Sequence, residues 1–300
     1  LIRSSSLAHA PCSPGTFKMM AQFAVLTRLK EPENSLSFSK MRVYDGENLK
    51  DIDPKAKSMQ EYRDFAGVDE GMNGLSTRFA YKVLSKVFNF DHTEVAANPV
   101  HLLYVLEQQI EREQFPAETE KRYLSAVKEY LSAPYVEFIG KEIQTAYLES
   151  YSEYGQNIFD RYVTYADCWL QDEDFRDPET GEVFDRSALN SELEKIEKAA
   201  GIANPKDFRN EVVNFVLRAR ANHGGKNPAW SSYEKLREVI EKKMFSNTED
   251  LLPVISFNAK ASADEKQKHQ NFVARMVAKG YTEKQVRLLV EWYLRVHKSS

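Results

Sequence analysis

Nine residues spaced only by threes and fours run down the middle of the chain: Ile139, Ile143, Tyr147, Tyr151, Tyr154, Ile158, Tyr162, Tyr165 and Trp169. That period places all of them on one face of an α-helix, and no strand can use it. The spacing predicts one long helix over 139–169. Its tyrosine-rich face turns to a core, with the phenol hydroxyls reaching the rim for partners.

The flanking sequence is punctuated in the same way. Thr16 reads as the N-cap of a helix through Phe17, Met20 and Phe23, closed by Pro32. Residues 30–57 read as a polar irregular stretch, and Met41-Arg42-Val43-Tyr44 within it is the best strand candidate. A short helix through Tyr62 and Phe65 leads to Gly67, and an amphipathic helix covers Phe79 to Phe88. Asn98 caps a helix with Pro99 at its first position, and another follows Pro116. The segment Asp177 to Glu182 reads as a turn or small hairpin. Helices follow from about Ser187 to Ala200, from Asn204-Pro205 to Gly224-Gly225, and from Ser232 to Phe245. A terminal hairpin is marked by Ser262 with Glu265, Gly280, and Thr282 with Gln285. The fold class expected is all-α or nearly so, as a small helical domain over 1–92 followed by a larger helical domain over 93–300.

Composition narrows the class. Of 300 residues, 42% are hydrophobic and 29% charged, enough apolar surface for a real core. The net charge of −4 points to neither a nucleic-acid nor a membrane-surface partner. No apolar run approaches the roughly 18 residues that span a bilayer. Cys12 and Cys168 are far apart, and no histidine pair has zinc spacing, so a reduced cytoplasmic setting without a metal site is expected. The start, Leu1-Ile2-Arg3, lacks a Met and a signal-peptide core, and reads as an interior cut.

One motif suggests chemistry. In Gly74-Leu75-Ser76-Thr77-Arg78 a glycine permits a tight turn, Ser76 or Thr77 can cap, and Arg78 sits in the first helical turn. The electropositive end of a helix with a guanidinium added suits a phosphate group. A Gly-x-Ser-x-Arg helix start resembles the sensor-2 element of the AAA+ lid, whose arginine reaches a nucleotide held mainly by another domain. The alternative is an ordinary capped helix whose arginine pairs with Asp69 or Glu70. There is no GxxxxGK[ST] loop and no protein-kinase motif set. Asp174-Phe175-Arg176-Asp177 lacks the glycine of the kinase metal-binding motif. Asp160, Arg161, Asp167, Glu149 and Glu153 read as a solvated helix face. The basic segment from Phe272 to Lys298 has a helix-turn-helix outline, but Val286, Leu289, Val290, Tyr293 and Leu294 mark it as a hairpin packed on the domain.

Longer runs carry a family resemblance: Tyr62-Arg63-Asp64, Gly67 through Phe79, Glu142 through Tyr151, and Gly280 through Leu289. Over its whole length the chain resembles the PrkA family of ATP-dependent serine protein kinases. The resemblance implies the C-terminal half of a protein with an AAA+ core, beginning inside a lid-like domain. It makes Arg78 the sensor-2 arginine, with Gly74, Ser76 and Thr77 forming the nucleotide-binding turn. ATP and Mg²⁺ would serve the full-length protein, with none bound by this chain alone and no catalytic residue in it. The partners implied are the N-terminal AAA+ core, a protein substrate and a homo-oligomer. The helical domain would then regulate or dock substrate. The other readings are a self-contained atypical kinase domain and a non-catalytic scaffold.

Overall fold

The computed structural model describes residues 7–150, 152–178, 180–222, 224–245, 255–256 and 262–298. The chain is nearly all α-helical. Its helices are α1 (Thr16–Leu26), α2 (Ser37–Tyr44), α3 (Met59–Ala66), α4 (Thr77–Phe88), α5 (Pro99–Arg112), α6 (Ala117–Ser125), α7 (Ala133–Ser150) and α8 (Ser152–Gln171). After a two-stranded antiparallel hairpin, β1 (Phe175–Arg176) and β2 (Val183–Phe184), come α9 (Arg186–Ala200), α10 (Pro205–Asn222) and α11 (Glu234–Phe245), then α12 (Ala263–Ala278) and α13 (Glu283–Lys298). A π-helical stretch, Ala126–Ser132, joins α6 to α7. Two compact units result. The first comprises Leu1–Ile143 with Val273–Ser300, and the second is Gln144–Phe272. This partition differs from a single division at residue 92, because the C-terminal segment belongs to the same unit as the N-terminal one.

Local signals explain most element starts. Asn98 accepts the His101 N–H at 2.9 Å, Ser58 and Glu61 form a reciprocal capping box, and Gly201 ends α9 in a left-handed conformation. Thr16 is a correction. It is the first helical residue, not the cap, and its hydroxyl donates back to the Ser13 carbonyl at 2.8 Å while Gly15, at φ 87°, holds the cap position.

A second correction concerns 30–57, which contains helix α2. Met41 to Tyr44 belong to that helix and not to a strand. The helix brings Lys40 and Met41 inward together, and the bonds made by the buried Lys40 ammonium override the β-propensity of Val43 and Tyr44. The predicted long helix is described as α7 to Ser150 and α8 from Ser152, and residue 151 between them lies outside the described residues. Ile139, Ile143, Tyr147, Ile158, Tyr162 and Tyr165 are buried as the spacing demands, but Tyr154 is exposed.

In the first unit, α1 packs against α2, α5 and the π-helical stretch, with Phe23 and Leu106 fully buried. The C-terminal hairpin closes this unit. Val286, Leu289 and Val290 are buried, Gln285 donates to the Ala97 carbonyl at 2.9 Å, and Trp292 packs 5.7 Å from Tyr135. Its expected docking role is therefore borne out within this unit.

The second unit is built around a buried ion pair. Arg209 grips Glu197 through two hydrogen bonds of 2.7 Å and donates to Asn190 at 2.8 Å. Tyr162 donates to the same carboxylate at 2.8 Å, and the Trp169 ring lies 4.4 Å from the guanidinium. Burial and the Glu197 charge push the Tyr162 phenol well above its ordinary pKa. Asp160 departs from the solvated-face expectation: it accepts from Gln156 at 2.9 Å and from Asn227 at 2.7 Å, tying the loop before α11 to α8. Both members of the Arg209–Glu197 pair are 1% exposed, so removing one strands the other charge. Arg209→Ala is expected to destabilise the chain by about 3–5 kcal/mol, measured by urea unfolding. The Glu197→Leu/Arg209→Met double change should cost less than that single one.

Candidate nucleotide-phosphate site

The turn before α4 is fixed from two sides. Gly74 has φ 116°, and a Cβ there would lie 2.7 Å from Arg28 Cγ and 2.8 Å from the Thr27 carbonyl oxygen. Only glycine permits both the conformation and the approach. Around it, Leu75 N–H donates to Thr27 Oγ1 at 3.2 Å. Arg28 donates to the Gly71 carbonyl at 3.0 Å and to the Leu75 carbonyl at 2.9 Å. The Gly71 N–H returns a bond to the Arg28 carbonyl at 3.2 Å. The end of α1 thus grips the loop on both sides of Gly74.

The start of the same loop is held by Glu70. Its carboxylate accepts from Lys40 Nζ, from Lys30 N–H at 2.8 Å and from Tyr44 hydroxyl at 2.9 Å. Lys40 is fully buried and also donates to the Lys30 carbonyl at 3.0 Å. Burial alone would raise the Glu70 pKa. The hydrogen bonds from Lys40, Lys30 and Tyr44 outweigh it and hold the carboxyl below the ordinary glutamate range. Burial and the Glu70 contact push Tyr44 up to about 12. With its polar groups committed inward, the loop turns Val68 and Met72 to solvent, at 90% and 79% exposure.

The predicted site residues fall on this scaffold. Ser76 is the cap of α4, its hydroxyl accepting from Phe79 N–H at 3.2 Å. The first N–H groups of a helix have no intrahelical acceptor, so those of Thr77 and Arg78 are free to face an anion. Arg78 is exposed, and its side chain has no hydrogen-bond or ion-pair partner among the described residues. The paired-arginine alternative is not what the structure contains, since Glu70 is occupied by Lys40. Thr77 also lines an apolar groove of about 690 Å³ with Cys12, Phe17, Tyr81 and Leu84. One arginine and one helix end fit a single phosphate contact, not a whole nucleotide site. Among the described residues no group of three or more His, Cys, Asp or Glu could hold a metal ion. No described helix is long and apolar enough to cross a membrane.

Sequence reasoning missed Thr27, Arg28, Lys40 and Tyr44. Their contacts span 26–48 residues, beyond any local pattern. Three glycines within Gly67–Gly74 were the available signal of a sharply folded loop.

Comparison with known proteins defines first a class and then a family. Residues 38–292 match the PrkA serine protein kinase C-terminal domain, and residues 1–36 match the PrkA AAA domain. The chain belongs to the PrkA family. It is 76% identical over 300 residues to the serine/threonine kinase YeaG of Escherichia coli strain K12, covering all of this chain and 47% of that protein. It is 30% identical over 290 residues to the ATP-dependent protease PrkA of Bacillus subtilis strain 168, covering 92% of this chain and 43% of that protein. The chain therefore spans about half the length of these curated relatives. No solved structure matches it.

Because the Glu70 carboxyl is held below its unfolded pKa, its contribution is fully present above about pH 4.3. It is lost as pH falls through the depressed folded value. The wild-type unfolding midpoint should fall in that acid window, and Glu70→Gln should lack this part of the pH dependence while being less stable near neutrality. Gly74→Ala should destabilise by about 1–3 kcal/mol, checked by urea unfolding.

Proposed function

We propose that this chain is the nucleotide-sensing and substrate-handling part of an ATP-driven enzyme that acts on proteins. In this reading Arg78 contacts the terminal phosphate of ATP bound mainly by an AAA+ core, and the helical remainder regulates the core or docks the protein substrate. The observation that carries the proposal is the exposed, unpartnered Arg78 guanidinium at the start of α4, on a turn pinned by Thr27, Arg28 and Glu70. The pinned turn fixes the backbone from which Arg78 is presented, and its guanidinium is left open to pair with phosphate oxygens. The lid-like reading of residues 1–92 draws support from the same grip, which ties α1 to α4. ATP with Mg²⁺ belongs to the full-length protein in this proposal. When bound, the pair supplies the transferable phosphoryl group and its charge neutralisation. The chain's own share is the arginine and the helix N-terminus.

The two relatives are named for different activities, a serine/threonine kinase and an ATP-dependent protease. ATP-driven action on a protein is common to both names, and the higher identity of the first favours phosphoryl transfer. A serine-containing protein incubated with the full-length protein and Mg-ATP separates the two. Phosphate incorporation supports the kinase reading, and ATP-dependent peptide-bond cleavage supports the other.

Arg78→Ala in the full-length protein is expected to lower ATP turnover by about tenfold or more, with circular dichroism and melting temperature unchanged. Wild-type turnover in that variant would remove the sensing role. The chain by itself is expected to transfer no phosphoryl group to protein, because one arginine contact is worth only about 1.5–3 kcal/mol. Chain-dependent phosphate incorporation would overturn that.

A further inference from the structure

We infer that Arg28 is a positioning residue for Arg78, acting through the backbone of the Gly71–Leu75 turn; this rests on the reading of Arg78 as a phosphate contact. Arg28 lies just past the end of α1, inside the segment matched by the PrkA AAA domain, whereas its acceptors lie inside the segment matched by the C-terminal domain. The joint therefore crosses from one matched region to the other.

The geometry makes the joint directional. The two terminal nitrogens of Arg28 bond different carbonyls, those of Gly71 and Leu75, at 3.0 and 2.9 Å. They bracket Gly74, whose missing side chain lets the turn lie against Thr27 and Arg28. The Leu75 N–H is taken by Thr27 Oγ1. Leu75 precedes the Ser76 cap directly, so the helix start carrying Arg78 is set by two consecutive residues just past the end of α1. A movement of that end would be passed to the backbone of the helix start that carries Arg78 through hydrogen bonds and a steric contact. A planar fork can span two carbonyls in fixed directions, and an ammonium on a flexible stem cannot hold both as well. A displacement of about 1 Å at a reacting group is enough to cost substantial rate.

The test is steady-state ATP turnover by the full-length protein carrying Arg28→Met, Arg28→Lys, Thr27→Val, Arg78→Ala and the Arg28→Met/Arg78→Ala double change, each checked for folding by circular dichroism. Arg28→Met is expected to lower kcat by about tenfold with little change in KM, and Arg28→Lys to recover part of it. In the Arg78→Ala background, Arg28→Met should add no further loss, because both changes remove one function. Additive losses would overturn the inference while leaving Arg78's role intact. So would wild-type kcat in both Arg28→Met and Thr27→Val when Arg78→Ala is impaired. Should Arg28→Met fail to fold, Thr27→Val carries the same comparison. Wild-type turnover in Arg78→Ala would sink the phosphate reading and this inference with it.

Discussion

Lys40 holds its ammonium where water does not reach, and much of the arrangement from α1 to α4 answers that single charge. A buried cation needs a carboxylate and further acceptors, or it costs several kcal/mol. Glu70 and the Lys30 carbonyl supply them. For this to happen Ser37–Tyr44 must be helical, so that Lys40 points inward, and the loop after α3 must fold back far enough to bring Glu70 to it. The rings of Tyr44 and Tyr62 complete the enclosure, at 5.6 and 5.9 Å from the ammonium. Once Glu70 is fixed, Gly71 lies within reach of Arg28, and the turn leading into α4 has one conformation to adopt.

What could be read from the sequence was what local chemistry decides. Asn98-Pro99, Ser262 with Glu265, Thr282 with Gln285, and Gly201 each act within a few residues, and each marks the boundary expected of it. The start of α4 was legible for the same reason, because Ser76 caps its own helix. Helix α2 was not. Its pattern is weakly amphipathic, and the residue that justifies it is a lysine, which local rules place on the surface. Arg28 was invisible for a related reason: its acceptors are 43 and 47 residues away and are backbone carbonyls, which carry no sequence signature. The buried Arg209–Glu197 pair in the second unit was equally silent, as charged residues at helical spacing read first as a solvated face.

The relation between the two units and the matched segments separates architecture from chemistry. The family matches change at residues 36–38, whereas the compact units change at 143–144 and again at 272–273. The segment matched by the AAA domain is therefore not a separate body here. It contributes α1, with Phe23 fully buried and in edge contact with Tyr123. Packing of that kind makes the first unit mechanically continuous across the match boundary, and it places the candidate phosphate contact on a body that includes both matched segments.

The interrupted first unit has a consequence for how such a chain is made. A ribosome delivers residues 1–143 before the whole of 144–272, and only after both the segment whose Val286, Leu289 and Val290 complete the first core. The second unit is continuous in sequence and can close as soon as it emerges. The first must wait with apolar surface uncovered until α13 arrives, and the Gln285 bond to Ala97 closes a span of 188 residues. Nascent chains stalled or clipped before α13 would be the species that chaperones and proteases meet, although the whole second unit separates their missing part from the core they fail to finish.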